Sequence, residues 1–275
     1  MIASLAQVLG DAKREKTAVA GLVCLGWEDM RAYVAAAESE NLPVILQAGP
    51  SCRRHTPLPV LGTMMRYLAE AVSVPVVIHL DHGNSIDECK EAIDSGFSSV
   101  MFDGSRLSLR ENIKKTKAVV EIASAYGISV EGEIGFVGYA KGESSAGTDP
   151  NEASLFASET NIDAMAISIG NMHLQLDTET RLDETLLRKI QEKTQIPLVI
   201  HGGSGVPKRQ RAFLAENSNI CKYNIGTELR VGFGKGLRAT LDSDPTVFDR
   251  VQILSALEPQ IEADARDVLR SIQHD

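Results

Sequence analysis

The feature that most constrains this chain is a recurrence. Short apolar runs of strand length, usually entered by a proline or a polar residue, occur eight times, with helix-length amphipathic segments between them. The strand candidates are residues 17–23, 43–47, 75–80, 98–102, 129–134, 164–169, 197–200 and 220–225. Runs that are apolar nearly throughout belong to parallel strands covered on both faces, and each parallel step needs a helical crossover. Helical patterns fill the gaps, as at 28–41, 110–126 and 183–193, the last with Leu186, Leu187 and Ile190 at spacings of three and four. Ser85-Ile86-Asp87-Glu88 has the form of a capping box at a helix start. Eight evenly spaced βα units predict a (β/α)8 barrel forming a single domain over 1–275. The stretch from Val247 onward reads as helix packed outside the barrel or against another subunit. Residues 135–150 (GFVGYAKGESSAGTDP) are long, glycine-rich and aperiodic, which predicts a lid over an active site.

Composition narrows the class. A chain of 275 residues that is 43% hydrophobic and 24% charged has material for one large core, which excludes fibrous and disordered classes. With 28 Lys and Arg against 37 Asp and Glu, the net charge of −9 disfavours nucleic acid and anionic membrane as partners. The longest apolar run, around 18–27, is about half the ~20 residues that span a bilayer. Four dispersed cysteines without a CxxC pair, and an N-terminus that turns charged early, predict a reducing, cytoplasmic setting.

The polar residues fall at the C-terminal ends of the strand candidates, the face where barrels keep their chemistry. His79, Asp81 and His82 close the third, Asp103 the fourth, and Glu131 and Glu133 the fifth. His173 follows the sixth, His201 the seventh, and Asn224 ends the eighth. A lone histidine or carboxylate after a strand is ordinarily a core or capping residue; four of the six histidines at three strand ends is a convergence. Imidazoles with carboxylates nearby suit Zn²⁺, and the set meets only if the barrel closes. Strict alternation along an extended strand turns His79 and Asp81 to one side and His82 to the other, so His82 is assigned to the metal and His79 to the core. Two glycine-containing strand-to-helix turns, 201–207 and 222–228, expose backbone N–H groups at helix starts and predict a phosphate site.

HLDHG at 79–83, EGEIG at 131–135, HGGSG at 201–205 and KYNIGTELR at 222–230 resemble the class II, zinc-dependent fructose- and tagatose-bisphosphate aldolases. The resemblance implies a metal-dependent aldolase that reversibly cleaves a ketose phosphate to dihydroxyacetone phosphate and an aldehyde. It makes Asp81 the acid/base at the C4 hydroxyl, His82, His173 and His201 the zinc ligands, and Asp103 and Glu133 an alternative metal position. Phosphate binding falls to Gly202, Ser204, Asn224 and Thr227, with a monovalent cation nearby, and a homodimer or homotetramer is implied.

Three places depart from the family pattern. The first strand reads Gly21-Leu22-Val23-Cys24 where the family carries an asparagine-containing segment. Lys141 stands where the lid glutamate is expected, leaving Glu143, two residues on, as the candidate catalytic carboxylate. Leu174 follows His173 where the family has a phosphate-contacting glycine. These departures cluster around substrate and lid, which points to a divergent member with its own substrate, an unphosphorylated ketose included. Arg53, Arg54 and Arg106 are available cations for a second anionic group, weighed against ordinary surface charge. A barrel epimerase or hydrolase and a non-catalytic aldolase-like protein are the competing readings.

Overall fold

The computed structural model describes residues 1–140, 142–176 and 180–273. Eight parallel strands close into a barrel in chain order: β1 (Val19–Val23), β2 (Val44–Ala48), β3 (Val76–Gly83), β4 (Ser99–Phe102), β5 (Ser129–Ile134), β6 (Ala164–Ile167), β7 (Leu198–Ile200) and β8 (Ile220–Ile225). The seam is β1 on β8, with Val19 opposite Lys222 and Gly21 opposite Asn224. Helices α1 (Leu5–Glu15), α2 (Trp27–Glu40), α3 (Pro50–His55) and α4 (Leu58–Glu70) accompany the first two strands. Then follow α5 (Ile86–Asp94), α6 (Leu109–Ser124), α7 (Pro150–Thr160), α8 (Glu184–Lys193) and α9 (Lys208–Asn217). The long α10 (Thr227–Ser243) and α11 (Arg250–Arg270) end the described chain.

All eight strand candidates are present. Those at 43–47, 75–80 and 197–200 begin one residue after their proline, because a residue without an N–H cannot donate to the ladder. Ser85 caps α5 as the capping pattern predicts, its hydroxyl accepting from Glu88 N at 3.1 Å. The strands alternate between two cores. Outward residues such as Leu22, Leu46, Ile78, Phe102 and Ile200 pack under the helices. Inward residues Val19, Ile45, Val77, Met101, Ala166 and Val199 meet Leu5, Val8, Leu9 and Ala12 of α1, which plugs the N-terminal end of the barrel. That helix was not anticipated from sequence; Ser4 starts it by accepting from Gln7 N at 3.2 Å.

The C-terminal stretch packs as expected outside the barrel. Leu257, Ile261, Ala265 and Val268 of α11 are buried, and the helix lies on α2 and α10. Glu40 at the end of α2 accepts from Arg266 at 2.6 Å and from Arg270 at 2.7 and 2.8 Å. The lid candidate is tied down rather than loose. Phe136 and Ala146 exchange backbone bonds of 2.9 and 2.8 Å, and Gly138 and Ala140 pair with the backbone of His173 at 2.8 and 3.0 Å. Lys141 lies outside the described residues. Among the described residues, no helix is long and apolar enough to cross a membrane.

Candidate active site

The site begins with an irregularity in β3. Its register against β4 shifts between Leu80 and Gly83, and His82 has φ +54°, the left-handed region that non-glycine residues rarely occupy. The bulge turns Asp81 and His82 toward the same mouth. Strict alternation, which set them on opposite sides, therefore fails here, because its two-residue period holds only for an unbulged strand. Arg53 secures the bulge: its guanidinium donates to the carbonyls of Asp81 (2.6 Å), His82 (2.8 Å) and Ala48 (2.9 Å) and pairs with Glu88 at 2.8 Å. At 5% side-chain exposure it is neither a surface charge nor free for an anion, unlike the exposed Arg54.

His82, His173 and His201 then come together from β3 and the loops after β6 and β7. Their ring centroids lie 4.6 to 5.7 Å apart, and one ring nitrogen from each falls within 4.8 Å of the other two. His82, Asp103 and Glu133 form a second such group. The hydrogen bonds choose the free atoms. His82 Nδ1 is 2.8 Å from Asp103 and His201 Nε2 is 3.0 Å from Glu131, and a carboxylate can only accept. The opposite nitrogens, His82 Nε2 and His201 Nδ1, are buried without a partner, as is Glu133 Oε2 at 3.7 Å from His201 Nδ1. Buried polar atoms are normally satisfied, so unsatisfied ones on residues that cluster this way fit a cation.

The electrostatics agree. Burial and the neighbouring His82 and His201 push His173 down to about 3. His82 goes the other way: burial lowers it, but Asp81, Asp103 and Glu133 outweigh that and raise it to about 10. Burial and Asp103 lift Glu133 to about 8. The carboxylates of Asp81 and Asp103 thus favour positive charge at His82, which a bound cation can supply in place of the imidazole's second proton.

Asp81 lies beside this cluster, almost fully buried, and one of its oxygens, Oδ1, accepts from Gln47 and Asn224, each at 3.1 Å. Burial raises its pKa, and His82, His201 and Lys222 together outweigh burial and keep it low, as a carboxylate. Sequence reading missed Gln47. Its signal was a polar residue inside the apolar strand VILQA, and Gly21 is its complement, since a Cβ there would lie 2.2 Å from Gln47 Oε1. His79 sits deeper, outside both groups, 2.9 Å from Ser99 Oγ.

The two glycine turns converge as well. Gly202 has φ +66°, and a Cβ on it would come within 2.0 Å of the Met172 carbonyl. Ser204 Oγ accepts from Gly226 N and Glu228 N, each at 3.3 Å, at the start of α10. Buried Arg211 braces both turns, donating to Ser204 O at 3.3 Å and pairing with Glu228 at 2.8 Å. Ser204 and Thr227 stand at one end of a cavity of about 580 Å³ that runs between α10 and α11, as far as Ala239 and Gln260. Glu143 stands apart on the rim, 58% exposed and 2.6 Å from Arg106, which lies over the Phe136 ring.

A family model described as fructose-bisphosphate aldolase class-II matches residues 3–275. The chain belongs to the class II fructose-bisphosphate aldolase family. It is 38% identical over 271 residues to a fructose-bisphosphate aldolase of Geobacillus stearothermophilus, covering 95% of this chain and 93% of the other. A 6-phospho-5-dehydro-2-deoxy-D-gluconate aldolase of Shouchella clausii (strain KSM-K16) is also 38% identical, over 253 residues, covering 89% of this chain and 85% of that one. The crystal structure of the YdjI aldolase of Escherichia coli K12 superposes with a TM-score of 0.84 at 26% identity, covering 99% of this chain and 97% of that one. As a class II aldolase the protein is a carbon–carbon lyase of a metal-dependent family. That excludes the barrel hydrolase and epimerase readings.

Proposed function

We propose that this class II aldolase reversibly cleaves a ketose phosphate to dihydroxyacetone phosphate and an aldehyde, with Zn²⁺ held by His82, His173 and His201. The observation that carries the reading is the meeting of the His82, His173 and His201 imidazoles within ligand distance of one another, with one nitrogen of His82 and one of His201 buried and partnerless. When bound there, a divalent ion supplies Lewis-acid polarisation of the ketose carbonyl. Asp103 and Glu133 offer the ion a second position beside His82.

The chain's own residues do the rest. In cleavage Asp81 takes the C4 hydroxyl proton as the C3–C4 bond breaks and the aldehyde C=O forms; in condensation it returns that proton. Gln47 and Asn224 occupy one of its oxygens and leave the other for the substrate. The electron pair left on the dihydroxyacetone phosphate fragment takes up a proton from the protonated carboxyl of Glu143, the rim residue paired with Arg106, which solvent then reprotonates; in condensation the Glu143 carboxylate removes that proton. Gly202, Ser204, Asn224 and Thr227 receive the phosphate at the start of α10, the place after the last two strands where barrels bind phosphate, with a monovalent cation beside it. The two relatives are named for phosphorylated substrates with different aldehyde halves, which supports a phosphorylated ketose here. The α10–α11 face serves a homodimer or homotetramer, one domain spans 1–275, and four free, buried cysteines suit a reducing cytoplasm.

The test is release of dihydroxyacetone phosphate from a panel of ketose 1-phosphates and 1,6-bisphosphates, on protein of assayed metal content, with and without chelator. Chelator-sensitive release is expected. No release from zinc-loaded protein on any of the panel overturns the reading.

A further inference from the structure

Beneath the histidine cluster lies a buried polar chain that the proposed reaction does not use. Lys222, Glu131 and His79 are all without solvent exposure. Lys222 reaches the barrel axis because the β7–β8 register shifts between Leu198 and Val199, so that Cys221 and Lys222 both turn inward. Its ammonium is 2.6 Å from Glu131 Oε2 and 3.3 Å from His79 Nε2. The other Glu131 oxygen, Oε1, is 3.0 Å from His201 Nε2, and His79 Nδ1 is 2.9 Å from Ser99 Oγ.

A lysine ammonium has three donors and no acceptor and an ionised carboxylate only accepts, so the two together fix the direction of every bond in this chain. His79 must accept through Nε2, which leaves the proton on Nδ1 for Ser99. Glu131 must accept from Lys222 at one oxygen and from His201 Nε2–H at the other. His201 then carries no proton on Nδ1, the nitrogen that is buried without a partner. We propose that Lys222 and Glu131 are positioning residues of the metal centre: together they hold His201 in the tautomer and orientation that presents a bare Nδ1 to the ion. This rests on the reading of the three histidines as a metal site.

A purely structural role for the pair predicts lost stability when it is cut. A positioning role also predicts a changed tautomer. In Glu131→Gln, the amide oxygen turns to Lys222 and the NH2 group faces His201 Nε2; that nitrogen must then accept, which forces the imidazole proton onto Nδ1. In Glu131→Gln with Lys222→Met, the amide oxygen is free to face His201 again. The measurements are long-range proton–nitrogen correlation spectra of histidine-labelled, metal-free protein and zinc affinity by chelator competition, each on protein that melts cooperatively.

The parent is expected to show His201 protonated on Nε2. Glu131→Gln is expected to show the other tautomer and to bind zinc ~10–100-fold more weakly, the usual effect of losing the partner of a metal-bound imidazole. The double variant is expected to recover the parental tautomer and most of the affinity. A parent already protonated on Nδ1 overturns the proposal without any variant, which covers the case in which Glu131→Gln fails to fold. Zinc affinity of Glu131→Gln within twofold of the parent, or a double variant no better than the single one, overturns it as well. A parent that takes up no zinc overturns the metal reading, and this role with it.

Discussion

At the N-terminal end of the barrel, Val19, Ile45, Val77, Met101, Ala166 and Val199 close on Leu5 and Leu9 of α1. Two residues beyond Ile45, Val77 and Val199, Gln47, His79 and His201 point at the same axis, joined there by Glu131 of β5 and followed by Asp81 and Glu133. On β2, β3 and β7 the inward positions therefore change from aliphatic to polar within a single side-chain period. Burying charged and polar groups is costly even when they are paired, and the apolar plug contributes stabilisation of about 25 cal/mol per Å² of apolar surface removed from water. The contrast teaches that the lower half of the barrel can be weakened without touching the chemistry, and the upper half disarmed without unfolding the protein.

Variants can break that separation. His201→Ala is expected to lose bound metal and cleavage together, with melting still cooperative; metal analysis beside a turnover assay decides it. Asp81→Asn is expected to keep its metal and lose about 10²–10⁴-fold in kcat, the range for a general acid/base; equal loss of metal would move Asp81 into the metal site. Leu9→Ala at the plug is expected to cost about 3 kcal/mol by denaturant unfolding, with kcat/KM of the surviving fold within about twofold. A large fall in turnover there would join the two ends. Glu143→Gln is expected to lower kcat by about 10²-fold, and an unchanged rate removes it as the lid base. The smallest effect belongs to Leu174, half-exposed at φ +56°, where the family resemblance places glycine. Leu174→Gly is expected to raise stability by less than about 1 kcal/mol, since relief of the left-handed strain is partly offset by glycine's entropy.

The eight strands were legible because a parallel strand covered on both faces must be apolar nearly throughout, and the prolines at 43, 75 and 197 mark where the ladders start. The convergence of His82, His173 and His201 was legible because barrel closure alone brings strand ends together. The orientation of His82 was not, since a bulge is a tertiary event with no period of its own. Arg53 could not be told from a surface charge, because its partners are backbone carbonyls that any sequence supplies. Gln47 and Lys222 did carry a signal, the one polar residue of VILQA and the one charge of ICKYNI, and in both cases the side chain turned out to serve the residues above it.

The seam of the barrel has a kinetic consequence. Pairing β1 with β8 joins Val19 to Lys222, residues separated by most of the chain, and contacts of such separation carry the largest loop-closure entropy. Lys222 is also the residue that grips Glu131 under the histidine cluster. Refolding followed by the absorbance of added cobalt should therefore lag behind the recovery of helical circular dichroism, and the lag would time the zipping of β8 onto β1.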